Sequence, residues 1–392
     1  MSSGRTAYPN VGKSARKPRH AISMDHRYAI ALTMLPGIGC TSQRRLIDYV
    51  GGAEELFRLR LGDLRHLFGP HRDAVVSGIA RPDTLLRAAD EELAYCQRRG
   101  IQVLYCEDSD YPQCLNREEC VDTPTVLYYM GAARLNVPRA IGVVGSRRAT
   151  DYGRANVEHL LDGLKGEQVL VVSGLALGID STAHRAALSN QLPTVAVVAH
   201  GLEQIYPSQN IDLARRIVSQ GGGILTEYAH GTRIMPGLFP ARNRIIAALC
   251  DGIVVAEAAA KGGALITANI ALSYNRALFA FPGRVGDEYS KGCNRIIANQ
   301  KAMLIENADD LLYGLNWDRK VPKEHTQTTM PLSLSPEEEK TLAALPQSTD
   351  AMDMEALVAA TGLSLPDVSA TLLSLELSGL VRALPGNRYR RN

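Results

Sequence analysis

The sequence predicts an α/β fold, in which a doubly wound parallel sheet follows a helical module and precedes a smaller helical module with a hairpin. Apolar runs of strand length recur between residues 101 and 305, and helical stretches separate most of those from Ala140 onward. Strands that alternate with helices are typical of a parallel sheet. Three of the runs end in glycine-rich turns that open a helix, so the core is predicted to be Rossmann-like.

Residues 1–20 are rich in Ser, Gly, Pro and basic side chains and contain no acidic one. This composition predicts a disordered basic tail, which either contacts nucleic acid weakly or is inert.

Residues 21–94 show helical patterns and are predicted to form a helical domain. The turn Pro36-Gly37-Ile38-Gly39 resembles a helix-hairpin-helix element, whose backbone amides can hold a DNA phosphate. A packing or partner-binding role is the alternative. The expected helices span residues 28–34, 41–50, 52–59, 61–68, 72–78 and 82–99.

Residues 95–316 contain the predicted sheet, in which each strand candidate is a short apolar run. In chain order, the candidates are residues 101–106, 126–129, 140–144, 169–172, 194–198, 223–226, 253–257, 278–281 and 303–305.

Residues 317–334 are polar and contain two prolines, which predicts a linker. Ser335 and Glu338 then form a capping box with Pro336 at the first helical position. Residues 335–392 are predicted to form a winged helix, because helices at 337–344, 354–361 and 366–378 precede a hairpin joined across residues 385–387. Gly362 and Gly379 occupy the positions expected for glycines that end a helix.

The third helix of this winged helix carries Asp367 and Glu376 but no Lys or Arg, although reading a major groove requires basic or amide side chains. Arginines instead cluster on the hairpin and the tail: Arg382, Arg388, Arg390 and Arg391. The module therefore binds either duplex DNA through the hairpin or another protein.

Three turns that follow predicted strands are suited to anions, because helix N-termini present unpaired N–H groups and glycine allows close backbone approach. Asp180 or Ser181 is expected to cap the helix that continues through His184. The candidate phosphate-binding residues in these turns are Gly145, Ser146, Arg147, Gly174, Gly178, Asp180, Gly262, Gly263 and Thr267.

A fourth turn, Phe239-Pro240-Ala241-Arg242-Asn243-Arg244, combines an aromatic ring with two guanidinium groups at a predicted helix start. Phe239 is suited to stacking on a nucleobase, and arginine recognises phosphate in a planar, bidentate way. We expect Asn243 to bond the ligand or a loop. Of Arg242 and Arg244, we expect one to bind the ligand and the other to brace a carboxylate such as Glu227 or Glu257, with the assignment left open.

In order along the chain, the segments GSR (145–147), SGLALGID (173–180), GLEQIYPSQN (201–210), FPARNRII (239–246), LITA (265–268) and FPG (281–283) resemble the DprA/Smf DNA-processing family. The likeness is strong over residues 95–312. It implies an extended Rossmann-like sheet, an N-terminal SAM-like domain and a cytoplasmic bacterial protein that is not an enzyme. It further implies a homodimer that binds and protects single-stranded DNA and loads the RecA recombinase during natural transformation.

The sequence departs from the family pattern at two places. Family members often carry a Lys shortly before the Phe of the fourth turn, whereas this chain has Arg233 as its nearest cation, which we expect to take the place of that Lys in phosphate binding. Lys261 stands where a small residue is common, and an added cation strengthens an anion site. For self-association, the candidate face is the helix at residues 293–299, with Ile296 and Ile297; packing on the sheet is the alternative.

The alternative function is a nucleotide-processing hydrolase on a related fold, resembling the cytokinin-activating LOG proteins. Their Pro-Gly-Gly-x-Gly-Thr-x-x-Glu element carries a reactive Glu that residues 261–269 lack. Ser173, Asp180 and His184 include no nucleophile elbow, and the spacing of Asp180 and His184 is more typical of a helix pinned to its neighbour.

Composition adds further expectations. The net charge of +2 means that any nucleic-acid surface is a local patch. The seven cysteines do not follow a common zinc spacing, so we expect neither a metal nor a cofactor. We expect no membrane association, because no run has the length and apolarity of a transmembrane span.

Overall fold

The computed structural model describes residues 24–69, 72–317, 334–346, 351–378, 380–384 and 386–391. The predicted basic tail and residues 318–333 of the predicted linker lie outside these ranges. The chain divides into two compact units, Met1–Lys320 and Val321–Asn392, which are described separately.

The first unit is built on a nine-stranded sheet with the order β1-β2-β6-β5-β4-β3-β7-β8-β9. All nine predicted strands are confirmed: β1 Gln102–Tyr105, β2 Val126–Gly131, β3 Ala140–Gly145, β4 Leu170–Ser173, β5 Thr194–Val197, β6 Gly223–Thr226, β7 Gly252–Glu257, β8 Ala277–Ala280 and β9 Met303–Leu304. The seven neighbouring strands β6-β5-β4-β3-β7-β8-β9 are parallel to one another. At one edge, β2 pairs antiparallel with β6, and β1 pairs antiparallel with β2. The two edge strands are the extension of the Rossmann-like core.

Helices cover both faces of the sheet because the strands bury side chains on both. Ile141 and Val143 of β3 pack with Leu160 and Ile179 in one core cluster, whereas Val144 belongs to another cluster. The helices after β3 are α7 Asp151–Gly163, α8 Ile179–Ser189, α9 Ile211–Ser219, α10 Leu238–Leu249, α11 Gly263–Ser273, α12 Lys291–Ala298 and α13 Ala308–Gly314.

The order of the strands creates a switch point at β3. After β3, the chain forms β4, β5 and β6 in succession on one side of β3, and it then returns through α10 to form β7 on the other side. In open α/β sheets, ligands bind outside the carboxyl ends of the strands at such a point. The topology therefore places a candidate site at the end of β3.

Six helices precede the sheet and confirm the predicted helical patterns: α1 Met24–Thr33, α2 Cys40–Val50, α3 Ala53–Phe57, α4 Leu61–Phe68, α5 Asp73–Ala80 and α6 Asp83–Arg99. Arg44 of α2 fastens them to the segment between β1 and β2, because it donates to the Thr123 and Pro124 carbonyls (3.1 and 2.8 Å) and to the Tyr111 hydroxyl (2.7 Å). α6 continues across the boundary predicted between residues 94 and 95. The division into a helical domain and a sheet domain at that point stays a prediction.

The second unit has the winged-helix architecture. Its elements are α14 Pro336–Ala344, β10 Met352–Asp353, α15 Met354–Thr361, α16 Leu365–Leu377, β11 Val381–Leu384 and β12 Arg388–Arg391. The predicted capping box of Ser335 and Glu338 is present, and Gly362 ends α15 with φ 64°. β10 was not predicted, because a two-residue strand that pairs with β12 leaves no periodicity in the sequence. Gly379 lies outside the described residues.

Among the residues that the structure describes, no single helix is both long and apolar enough to cross a membrane; Met354–Thr361 and Leu365–Glu376 reach that length and composition only together, as a pair bent by 106°.

Candidate nucleic-acid interface

A cavity of about 340 Å³ opens at the switch point, between the carboxyl end of β3, the first turn of α10 and the start of α11. The predicted site residues that line it are Gly145, Arg147, Asp180, Phe239, Arg242, Asn243, Gly263 and Thr267. Four segments that are far apart in the sequence thus meet at one place. The predicted residues outside this lining are Ser146, Gly174, Gly178, Arg233, Arg244 and Gly262.

Arg147 and two aromatic rings form the accessible wall of the cavity. The Arg147 guanidinium carbon lies 5.5 Å from the centroid of the Phe239 ring, and the Tyr206 ring lies 5.7 Å from that of Phe239 at an angle of 56°. Arg147 and Tyr206 are exposed, whereas Phe239 is half-buried. A cation of a type suited to a phosphate and aromatic rings of a type suited to stacking on bases are therefore adjacent.

Arg242 forms the floor of the cavity and is only 4% exposed. Its Nη1 donates to the Gly174 carbonyl at 2.7 Å and to the Val197 carbonyl, and its Nε donates to Asn243 Oδ1 at 3.1 Å. Burial lowers the pKa of Arg242 to about 10, against the opposing effect of Asp180. Gly174 makes room for this side chain, since an added Cβ would lie 2.6 Å from Arg242 Nη2.

Arg244 is the bracing arginine of the pair. Its Nη2 donates to Glu227 Oε2 at 2.6 Å, and both side chains are largely buried. Burial raises the pKa of Glu227, which Arg244 opposes. Arg244 therefore holds α10 against the segment after β6, while Arg242 faces the cavity.

The turns after β3 and β4 pack backbone to backbone, which explains why some predicted residues stay outside the cavity lining. The Ile179 N–H donates to the Ser146 carbonyl at 3.1 Å, and the Ser146 N–H donates to the Glu257 carbonyl at 2.8 Å. A Cβ on Gly178, whose φ is +79°, would lie 2.2 Å from that Ser146 oxygen. Ser146 and Gly178 thus hold these two turns together, and the turns form the rim of the cavity.

The expected cap of α8 is wrong. Gly178 and not Asp180 or Ser181 is the residue that precedes the helix, because its positive φ allows the chain to turn into α8 two residues earlier. Asp180 lies in the first helical turn and accepts from the Ala176 N–H at 3.4 Å. Burial raises its pKa, and Arg242 opposes that shift.

The α11 turn presents an open surface. Gly262 precedes α11 in extended conformation, and an added Cβ on Gly262 or Gly263 would meet nothing within 4 Å. Thr267 is buried and donates to the Gly263 carbonyl at 3.4 Å. Lys261 and Arg233 are exposed, and neither lines the cavity.

Tyr206 is the main site residue that the sequence predictions missed. It belongs to residues 201–210, which were already recognised as a family-like segment, so the signal was present. Its position depends on His200, whose buried Nε2 accepts from the Tyr206 N–H at 3.1 Å while Nδ1 donates to the Gly201 carbonyl at 2.9 Å. Burial lowers the pKa of His200, which favours this neutral form.

The sequence profile of the family described as DNA recombination-mediator protein A matches residues 102–316, and that of the DprA winged helix domain matches residues 325–387. Protein Smf of Synechocystis sp. is 34% identical across 94% of this chain and 99% of its own length. The chain belongs to the DprA/Smf family.

Other DprA proteins agree with this assignment. DNA processing protein DprA of Streptococcus pneumoniae is 42% identical over 70% of this chain and 93% of its own length. An X-ray structure of DprA from the same organism superposes with a TM-score of 0.63 at 33% identity, covering 73% of this chain and 97% of that one.

Four polar side chains that a hydrolase on a related fold could use make contacts within the protein: Ser173, His184, Glu227 and Glu257. Glu257 accepts from the Thr150 hydroxyl at 2.6 Å and from its N–H at 2.9 Å, and Glu227 pairs with Arg244. Ser173 donates to the Val143 carbonyl at 2.6 Å, and His184 bonds to Thr194 at 2.8 Å, which pins α8 to β5. These contacts give the four side chains structural roles.

Proposed function

We propose that this DprA/Smf chain binds single-stranded DNA at the switch-point cavity. The observation that carries the proposal is the packing of Arg147 on Phe239 beside Tyr206, which combines a phosphate-binding cation with exposed aromatic surface. Base stacking requires unpaired bases and accepts any base, because every base has a π-face. The site therefore favours single strands without a preferred sequence.

In this proposal, the bound strand is the incoming DNA of natural transformation, and the protein protects it in the cytoplasm and loads RecA on it. It acts by binding and not as an enzyme. The name of its family and the names of its DNA-processing relatives support this role. The remaining predicted site residues, including Gly262 and Arg233, would contact the strand where it passes beyond the cavity.

We propose that the protein acts as a homodimer, but the face suggested by the sequence is not available. Ile296 is buried with Cys293 in the core beneath α12, and Ile297 packs against the same core. Exposed apolar side chains lie instead on the edge strand β9, at Met303 and Leu304. This edge is the better candidate for contact with a second copy.

A titration of labelled oligonucleotides tests the binding proposal. Single strands should bind more tightly than duplexes, and the affinity should fall steeply with salt, because phosphate binding releases counterions. Equal affinity for both forms with no salt dependence would contradict it. For the mediator role, the measurement is the rate of RecA filament growth on single strands coated with a single-strand-binding protein, which should rise when this protein is added.

A further inference from the structure

Three planar side chains cluster at the turn that follows β6, each in contact with another of the three. The rings of Tyr95 on α6 and His230 stack with their centroids 4.3 Å apart and their planes 12° apart. The Arg99 guanidinium carbon lies 5.7 Å from the Tyr95 centroid. We refer to Arg99, Tyr95 and His230 as the planar stack.

A buried carboxylate fixes this stack in place. The side chain of Glu92 is only 3% exposed, and it accepts from the His230 N–H at 3.1 Å and from His230 Nδ1. A carboxylate is retained in the interior only when partners compensate for its lost hydration. Glu92 therefore determines the orientation of the imidazole ring, and His230 does not need a ligand to become ordered.

The His230 side chain remains accessible although it is part of the stack. Tyr95 covers one face of its ring, and Glu92 occupies the Nδ1 edge. The side chain is nevertheless 41% exposed. An exposed, preoriented aromatic ring is suited to stacking with a nucleobase.

The planar stack and the cavity adjoin the same loop. A Cβ on Gly201 would lie 2.7 Å from the Ala229 carbonyl and 3.0 Å from His230 Cα, so the start of this loop touches the turn that carries His230. Tyr206, five residues further along, lines the cavity. A strand that leaves the cavity past Tyr206 would meet the planar stack next.

The charges beside the stack are mixed. Arg99 belongs to the stack and Arg233 follows His230 closely in the sequence, and both are exposed cations available to the phosphates of such a strand. Glu203 is an exposed anion near Tyr95, where it adds to the effect of burial in raising the Tyr95 pKa. Stacking and not charge is therefore expected to provide most of the contribution of this region.

We propose that the planar stack is a second base-stacking subsite, in which His230 takes an unpaired nucleobase of a strand that already occupies the cavity. This inference rests on the proposed function. It names a contact that only strands longer than the cavity can make.

The test compares the shortest oligothymidylate that the wild-type protein binds with one that is several nucleotides longer. His230→Ala and Tyr95→Leu should each weaken binding of the longer strand about tenfold, the loss expected for one stacked base. Their affinity for the shortest strand should equal that of the wild type. Tyr95→Phe keeps the ring and should keep the affinity, and His159→Ala is the matched control at an exposed histidine of α7.

Unchanged binding of the longer strand by both variants would overturn the proposal, and so would an equal loss for both lengths, which would indicate a distorted loop. If His230→Ala fails to fold by circular dichroism, Tyr95→Leu still decides the question, because it leaves the bonds between Glu92 and His230 intact. A wild-type protein that binds neither strand would contradict the proposed function itself.

Discussion

Arg147 packs on the ring of Phe239 across the mouth of the cavity, with 5.5 Å between its guanidinium carbon and the ring centroid. The two side chains come from different turns, one after β3 and one at the start of α10. A base that stacks on Phe239 and a phosphate that binds Arg147 would therefore contact a preassembled pair. Because the side chains touch, their contributions to binding are expected to be coupled.

Arg147→Ala should weaken single-strand binding about tenfold or more, since a charge-assisted phosphate bond contributes roughly 1.5–3 kcal/mol. Phe239→Ala should cost roughly 1–3 kcal/mol if a base stacks there. The double variant should lose less than the sum, which a double-mutant cycle of titrations measures. Arg215→Ala removes an exposed arginine of α9 and should change nothing. Strictly additive losses would mean that the two side chains act independently.

Removal of residues 335–392 should affect single-strand binding less than Arg147→Ala does. The winged helix is a separate compact unit, and its helix α16 carries Asp367 and Glu376 with no Lys or Arg. The measurement is the same titration on the truncated chain, with circular dichroism as a control for folding. If truncation abolishes binding while Arg147→Ala leaves the affinity intact, the DNA-binding site lies on the winged-helix unit and not at the cavity.

Gly174→Ala should destabilise the fold by roughly 1–3 kcal/mol, the range for an overpacked core position. The added methyl group would lie within 2.7 Å of three atoms of the Arg242 guanidinium, which is fixed by two carbonyls. Gly62→Ala is the control, because a Cβ on Gly62 in α4 meets nothing within 4 Å. It should leave stability unchanged or raise it by up to about 1 kcal/mol. Denaturant unfolding curves measure both, and a silent Gly174→Ala would show that Arg242 is free to move.

The stability of the fold should fall in acid, partly through His184. Burial, together with the charges of Arg242 and Arg185, lowers the pKa of this histidine to about 3. The unfolded chain binds this proton below about pH 6.5, whereas the folded chain does not, so stability is lost as the pH falls from about 6.5 towards 3. At pH 5 the loss from this group is roughly 2 kcal/mol. His184→Gln should flatten the pH dependence by that amount, and identical pH profiles would contradict the assignment.

The strands could be predicted from the sequence because they are buried on both faces and read as continuous apolar runs. The convergence of their turns could be predicted as well, since the ends of parallel strands lie at one edge of the sheet. The burial of Arg242 could not, because its two carbonyl partners lie 68 and 45 residues away in the sequence. The cap of α8 was missed for a related reason: the φ of +79° at Gly178 depends on how closely its turn packs on Ser146.

Tyr206 and the planar stack illustrate the same limit. Neither position follows from local periodicity, because each depends on a buried polar group, His200 in one case and Glu92 in the other. Sequence patterns identify the apolar framework and the glycine turns, while side chains held by long-range hydrogen bonds become visible only in the folded chain.

The anchoring of Arg242 on the ends of two strands means that an alanine scan of this rim would report two different quantities. Loss of Arg147 would remove a ligand contact from a rim that stays intact. Loss of Arg242 would instead leave the Gly174 and Val197 carbonyls without their donor and leave Asp180 buried without its neighbouring cation. A loss of affinity after substitution of Arg242 would thus reflect a distorted cavity floor. It would overstate the contribution of this arginine to DNA recognition.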